Sequence, residues 1–170
     1  MAKKVVNYRE CLDEAVKAFG EKRVLLVSRG RQGLPNPMAL GWGSLGLIWR
    51  RPVFTMLLHP DRYSHALVME SGEFTVNILP AGMEKTVLYC GSVSGRDVNK
   101  LETQGLNTFS SSRIQTPGIR EGVIHFECRV IYTSDLNRSE FDPPVLNEIY
   151  GEKKALHRLF FGEIVACQCD

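Results

Sequence analysis

The segment Asp61-Arg62-Tyr63-Ser64-His65 places a guanidinium two residues ahead of a hydroxyl. Arg62 carries a planar fork of N–H donors that matches phosphate geometry. Ser64 stands where a cap could open a helix over SHALVME. A helix N-terminus beside an arginine is a ready anion site. The same residues also suit a capped surface helix with a solvated arginine.

A second cluster, Tyr89-Cys90-Gly91-Ser92-Val93-Ser94-Gly95-Arg96-Asp97-Val98-Asn99-Lys100, mixes glycines, hydroxyls and cations. Ser94 with Asp97 three residues on fits a helix start, and the spacing predicts a helix from Ser94 to about Gln104, closed by Gly105. Arg96 and Lys100, four apart, would then share a face and could meet an anion together. Val93 holds the central position, so this is not a G-x-S-x-G nucleophile elbow. An ordinary capped helix is the alternative reading. Asn36-Pro37-Met38-Ala39 leads to Trp42, an amide near a turn and an indole that could line a flat pocket or fill a core. His157 heads a strand, and His59, His65 and His125 show no metal-ligand spacing. No metal is expected.

Gly41-Trp42-Gly43-Ser44-Leu45-Gly46 matches G-x-G-x-x-G, with Asp61 downstream. That motif binds a dinucleotide only between a buried strand and a helix whose free N–H groups face the phosphates. Here two prolines precede it, and Leu47-Ile48-Trp49 favours extended backbone before Pro52. A Rossmann reading fails on context. Glycines in strands permit coiling or close approach of a flat ligand.

The elements that must position these residues are mostly strands. Residues 8–19 form an amphipathic helix, with Leu12, Ala15, Val16 and Phe19 on one face and Gly20 as the stop. Strands are predicted at 23–28, 38–49, 53–58, 74–79, 123–133 and 158–167, with pairing broken at Arg50-Arg51-Pro52. Short helices are expected at 64–70 and 83–90, and residues 142–154 read as an irregular excursion. Short strands with small interspersed helices indicate a mainly β antiparallel barrel with α excursions, a single domain over residues 1–170.

Composition bounds the partners. The 170 residues are 44% hydrophobic and 24% charged, with net charge +2. This is an ordinary globular balance, too weakly basic for a nucleic-acid surface. No apolar run is long enough to span a bilayer, and no secretory signal follows the basic start, so a cytoplasmic protein is expected. The five cysteines form no C-x-x-C pair and are expected to be reduced.

Taken in order, these stretches resemble the FMN-binding split-barrel family, in its flavin-reductase-like, flavoredoxin-type branch. Asn36-x-Met38 and Trp42 resemble its N-x-M-T-x-x-W segment, Arg62-Tyr63-Ser64 its R-x-Y-T or R-x-T-Y segment, and Phe74-Thr75-Val76-Asn77 its F-T-V-N strand. Ser94-Gly95-Arg96-Asp97-Val98-Asn99-Lys100 is similar to its S-G-R-D-V-D-K segment. Glu127-Cys128, and His157 with Phe161-Gly162-Glu163-Ile164, resemble its closing strands. Ala39 stands where the family usually has Thr, and Ser64 where Thr is common. The resemblance implies a homodimeric split β-barrel that binds FMN. Asn36, Met38, Ala39 and Trp42 would lie along the isoalloxazine. Arg62, Tyr63 and Ser64 would serve the phosphate and ribityl end. Asn77 would come from the F-T-V-N strand, and Ser94, Gly95, Arg96 and Lys100 from another side. It also implies NADH or NADPH as electron donor, free flavin or a redox protein as acceptor, and a catalytic place for His157. An FMN electron carrier without turnover, or a module that has lost flavin, are the alternatives.

Overall fold

The computed structural model describes residues 3–30, 33–153 and 155–170. Its strands are β1 (Lys4–Val5), β2 (Val24–Ser28), β3 (Asn36–Ala39), β4 (Gly43–Ile48), β5 (Arg51–Leu58), β6 (Glu73–Ile78), β7 (Thr108–Phe109), β8 (Gly118–Ile119), β9 (Ile124–Asp135) and β10 (Arg158–Cys169). Helices are α1 (Leu12–Gly20), α2 (Tyr63–Ser71), α3 (Glu84–Ser92), α4 (Lys100–Thr103) and α5 (Pro143–Ile149). Seven strands run in the order β3-β2-β6-β9-β10-β5-β4, all pairs antiparallel, and β1 adds to β10.

The sheet curls on itself. β5 and β6 are separated by β9 and β10, so a flat sheet would hold them roughly 14 Å apart. Yet the Phe54 ring of β5 lies 6.5 Å from Phe74 of β6 and 6.0 Å from Phe126 of β9. Those rings, with Leu26, Met56, Val76 and Phe160, fill the barrel. A smaller core of Leu25, Val27, Leu79, Val87 and Cys90 sits outside the wall, under α3. β2 is therefore buried on both faces, which explains its continuous apolar run. Gly162 lies at a register shift between β9 and β10, and any side chain there would enter the Phe74 ring.

Four expectations are corrected. Strand pairing does not stop at Arg50-Arg51-Pro52. A two-residue turn at Trp49 and Arg50, both with positive φ (52° and 63°), joins β4 directly to β5. Pro52 lies one residue past the last β5–β10 pair, Val53↔Glu163, so its missing N–H interrupts no bond on that side. Residues 94–98 are turns, and the helix starts at Lys100 because the Asn99 side chain caps it, accepting from Glu102 N. Residues 143–149 are helical, with proline in the first turn, where its missing N–H costs nothing. Finally, Gly43 packs closely on Thr55, Phe19 and Phe54, while Gly41 and Gly46 face open space. The three glycines belong to an exposed strand and the residues leading into it, and none of them lines the cleft formed by Asn36, Arg62 and Arg96.

No helix among the described residues is long and apolar enough to cross a membrane. The five thiols are free, four of them buried.

One core residue sets an acid limit on the fold. His125 is 1% exposed, and its Nδ1 lies 2.6 Å from Asn77 Oδ1. That oxygen also accepts from Ile119 N. Burial, with Lys3 nearby, lowers the His125 pKa to about 3. An unfolded histidine takes up a proton near pH 6.5. Below that pH the unfolded chain binds a proton that the folded one refuses, so stability falls as pH falls. We expect His125 alone to remove about 2 kcal/mol between pH 7 and pH 5. Urea unfolding at both pH values should show this gap shrinking by about that amount in His125→Gln.

Candidate functional site

β3 alternates its side chains between two environments. Asn36 and Met38 face a cleft, and Ala39 turns the other way, onto α3, where a Cβ at Gly91 would come within 2.8 Å of its methyl. Ala39 is thus a packing residue under α3 and does not line the cleft, so the family's usual threonine at this position is no guide to its role here. The cleft holds about 220 Å³ and is closed by Asp61 to Ser64 and by Ser92 to Arg96, with Lys100 at its base.

α2 enters the cleft wall through Arg62, which has extended backbone (φ −72°, ψ 134°) and occupies the cap position. Ser64 is therefore inside the first turn and is not the cap. It is fully buried, and its Oγ accepts from Asn36 Nδ2 at 2.9 Å. The first N–H groups of a helix have no intrahelical acceptor, so the start of α2 carries free donors and the positive end of its dipole at this wall.

Opposite, the 92–96 turn is tightly specified. Ser94 Oγ accepts from Arg96 N at 3.2 Å. A side chain at Gly95 would fall on the Asn36 amide, so glycine is what lets the turn approach β3. Arg96 lies 5.0 Å above the Tyr63 ring, and its Nη1 donates to Asp61 O at 3.3 Å. Arg62 Nη1 donates to Gly91 O at 3.1 Å. Each arginine thus spends one donor on backbone, with further N–H groups at the cleft.

Lys100 differs from both. It is 3% exposed, and its ammonium donates to Pro37 O at 3.0 Å and Cys90 O at 2.8 Å. Burial, with Arg62 nearby, lowers its pKa, against the raising influence of Cys90. It ties β3 to α3 and leaves a third donor. Arg96 and Lys100 do not share a helical face, because the chain between them is a turn.

Beside the cleft lies an aromatic cluster, joined to it by the turn from His59 to Arg62. His157 is 4.5 Å from Trp42 and 5.2 Å from His59 between ring centroids. Its Nδ1 lies 3.0 Å from Tyr150 Oη. Burial, then the positive surroundings of His59, Arg62 and Lys153, lower the His157 pKa to about 4. Its ring is neutral at pH 7.

Asn77 is corrected. It is fully buried in β6, with Nδ2 donating to Thr75 Oγ1 and Leu25 O, and Oδ1 accepting from Ile119 N. Its amide is spent inside the fold, away from the cleft. Nine other residues expected from sequence do meet there: Asn36, Met38, Arg62, Tyr63, Ser64, Ser94, Gly95, Arg96 and Lys100. Trp42 and His157 meet each other next to it. Asp61, Ser92 and Val93 complete the wall, and only their adjacency to the motifs could have signalled it. Tyr150 was hidden in the segment read as irregular, although Asp142-Pro143 is a helix-start signal. Among the described residues, no group of three or more His, Cys, Asp or Glu could hold a metal ion.

The comparisons with known proteins identify the family. The family model for the flavin reductase like domain matches residues 20–170, and the chain belongs to that family. An uncharacterized protein of Archaeoglobus fulgidus is 30% identical over 131 residues, which are 77% of this chain and 69% of the relative. Flavoredoxin from Methanosarcina acetivorans has a TM-score of 0.69 at 30% identity, covering 86% of this chain and 67% of its own. Flavoredoxin of Desulfovibrio vulgaris shares the fold, with a TM-score of 0.69 at 22% identity, over 86% of this chain and 68% of that one. The fold is the split barrel of these proteins.

Proposed function

We propose that this chain binds FMN and works as an NAD(P)H-dependent oxidoreductase in the cytoplasm, passing electrons to a free flavin or a redox partner protein. The observation that carries the reading is the cleft itself. Arg62, Arg96 and Lys100 converge with the N-terminus of α2 on one small space, and Trp42 and His157 stand beside it. The donor set fits a phosphate, and the Ser94–Arg96 turn, brought close to β3 by Gly95, lines the same space. Bound there, FMN would supply the hydride and electron chemistry. The protein's own part is binding and electrostatics. Asn36 holds Ser64 in place, the arginines neutralise the anionic end, and the neutral His157 offers a ring nitrogen beside Trp42 without adding charge.

The cleft's 220 Å³ is below the roughly 300–1,000 Å³ of whole ligand sites. We infer that a second copy of the chain completes the site, in a homodimer with two equivalent sites. Light scattering of the flavin-loaded protein should return the dimer mass, and a monomer with flavin bound would refute this.

The purified protein should be yellow and release FMN on denaturation. Anaerobic NADH or NADPH should bleach it. Bleaching by neither, with FMN bound, would replace the reductase reading with that of an electron carrier. Absence of any flavin affinity would remove both.

A further inference from the structure

The chain from Asn137 to Lys153 leaves the barrel between β9 and β10, and Tyr150 is its one buried side chain among the described residues, at 5% exposure. Everything around it fixes that ring. α5 ends at Tyr150, whose N–H donates to Leu146 O at 2.9 Å. Gly151 then turns with φ 51°. Arg138 clamps the turn by donating to Gly151 O at 2.6 Å and Lys153 O at 2.7 Å. The Tyr150 ring meets Phe141 edge-on at 5.7 Å and Trp42 at 6.4 Å. Its hydroxyl reaches one side-chain partner, His157 Nδ1, at 3.0 Å.

We propose that Tyr150 is the positioning residue for His157: its hydroxyl donates to Nδ1, holds the imidazole against Trp42, and so keeps the ring proton on Nε2. The inference rests on the reductase reading for its functional half. His157 then acts as a neutral N–H donor to an electron-rich oxygen of the molecule exchanging hydride at the site, such as a nicotinamide carboxamide. The direction of the bond follows from the groups present. The tyrosine hydroxyl is un-ionised, because burial raises its pKa, although the His157 backbone N–H, directed at its oxygen, works the other way. The side-chain acceptor within reach of that hydroxyl is Nδ1, at 3.0 Å, so its proton goes there. The charged groups facing the ring, Arg62 and Lys153, and the neighbouring His59 all disfavour imidazolium, so the ring is neutral and the nitrogen that accepts the tyrosine proton carries its lone pair. The second nitrogen of a neutral imidazole must then carry the proton.

Tyr150→Phe keeps the ring and removes the donor. Two readouts are needed. Long-range proton–nitrogen NMR of histidine-labelled holoprotein at pH 7 should find wild-type His157 protonated at Nε2 alone. In Tyr150→Phe, Nδ1 protonation should appear, and the His157 pKa should rise, since a hydrogen bond to the neutral form is gone. Anaerobic stopped-flow at saturating nicotinamide should show flavin reduction slowed about 2- to 12-fold, the equivalent of one hydrogen bond, with the FMN dissociation constant unchanged. A wild-type ring protonated at Nδ1, or a variant with unchanged tautomer and unchanged rate, overturns the proposal. If neither nicotinamide reduces the wild type, the reductase reading fails and with it the functional half, while the NMR result still decides whether Tyr150 sets the tautomer.

Discussion

Replacing Arg62 by alanine should weaken FMN binding by about 10- to 150-fold while leaving the fold intact. A charge-assisted hydrogen bond contributes about 1.5–3 kcal/mol, which converts to that range. Arg62 stands at the head of α2, where the dipole and free N–H groups already favour an anion. Its guanidinium donates to the exposed Gly91 carbonyl, which water can serve instead. Stability should therefore move by about 0.5 kcal/mol or less, as for a surface change. Fluorescence quenching titrations with FMN separate the outcomes, using Lys17→Ala as the control because Lys17 sits on the exposed face of α1, in a surface ion pair with Glu21. Equal affinities for Arg62→Ala and Lys17→Ala would place the phosphate elsewhere.

Lys100→Ala should behave differently, destabilising the protein by about 2–5 kcal/mol before affinity is considered. Its ammonium serves the buried carbonyls of Pro37 and Cys90, and each unpaired buried acceptor costs about 1–3 kcal/mol. Denaturant unfolding of the apoprotein reads this directly. A Lys100→Ala protein as stable as wild type would mean that the ammonium is a cleft charge and not a tie between β3 and α3. Sequence spacing alone suggested two equivalent cations at 96 and 100. The turn before Asn99 separates them into an outer arginine on Tyr63 and an inner lysine in the wall.

That contrast shows where the sequence was legible. Runs such as VLLVS and VFTMLL read as strands because β-branched and aromatic residues suit a pleated, buried surface, and both are strands here. Three of the motifs, those of Asn36, Arg62 and Ser94, meet at one cleft because they sit at a strand start, a helix start and a turn that the barrel brings together. What failed needed tertiary information. Asn77 looked like a site amide, but Ile119 and His125 arrive from distant chain to consume its oxygen. Ala39 followed Met38 into the site on paper, but strand alternation sends it to α3. Ser94 was the expected helix start, but the helix opens five residues on, with the Asn99 side chain accepting from Glu102 N. Tyr150 carried no motif, since its importance comes from the partner it meets, His157.

If the cleft between the start of α2 and the Ser92–Arg96 turn holds the cofactor's anionic end, a crystal structure of the FMN-loaded protein should show it there. The phosphate should lie within hydrogen-bond distance of Arg62 and the Ser94–Arg96 turn, with the isoalloxazine running toward Trp42. A second arginine-lined recess, formed by Arg29 and Arg120 with Ser110 and Gln115, lies elsewhere on the surface. Phosphate bound there, with the Arg62 cleft holding only solvent, would contradict the account.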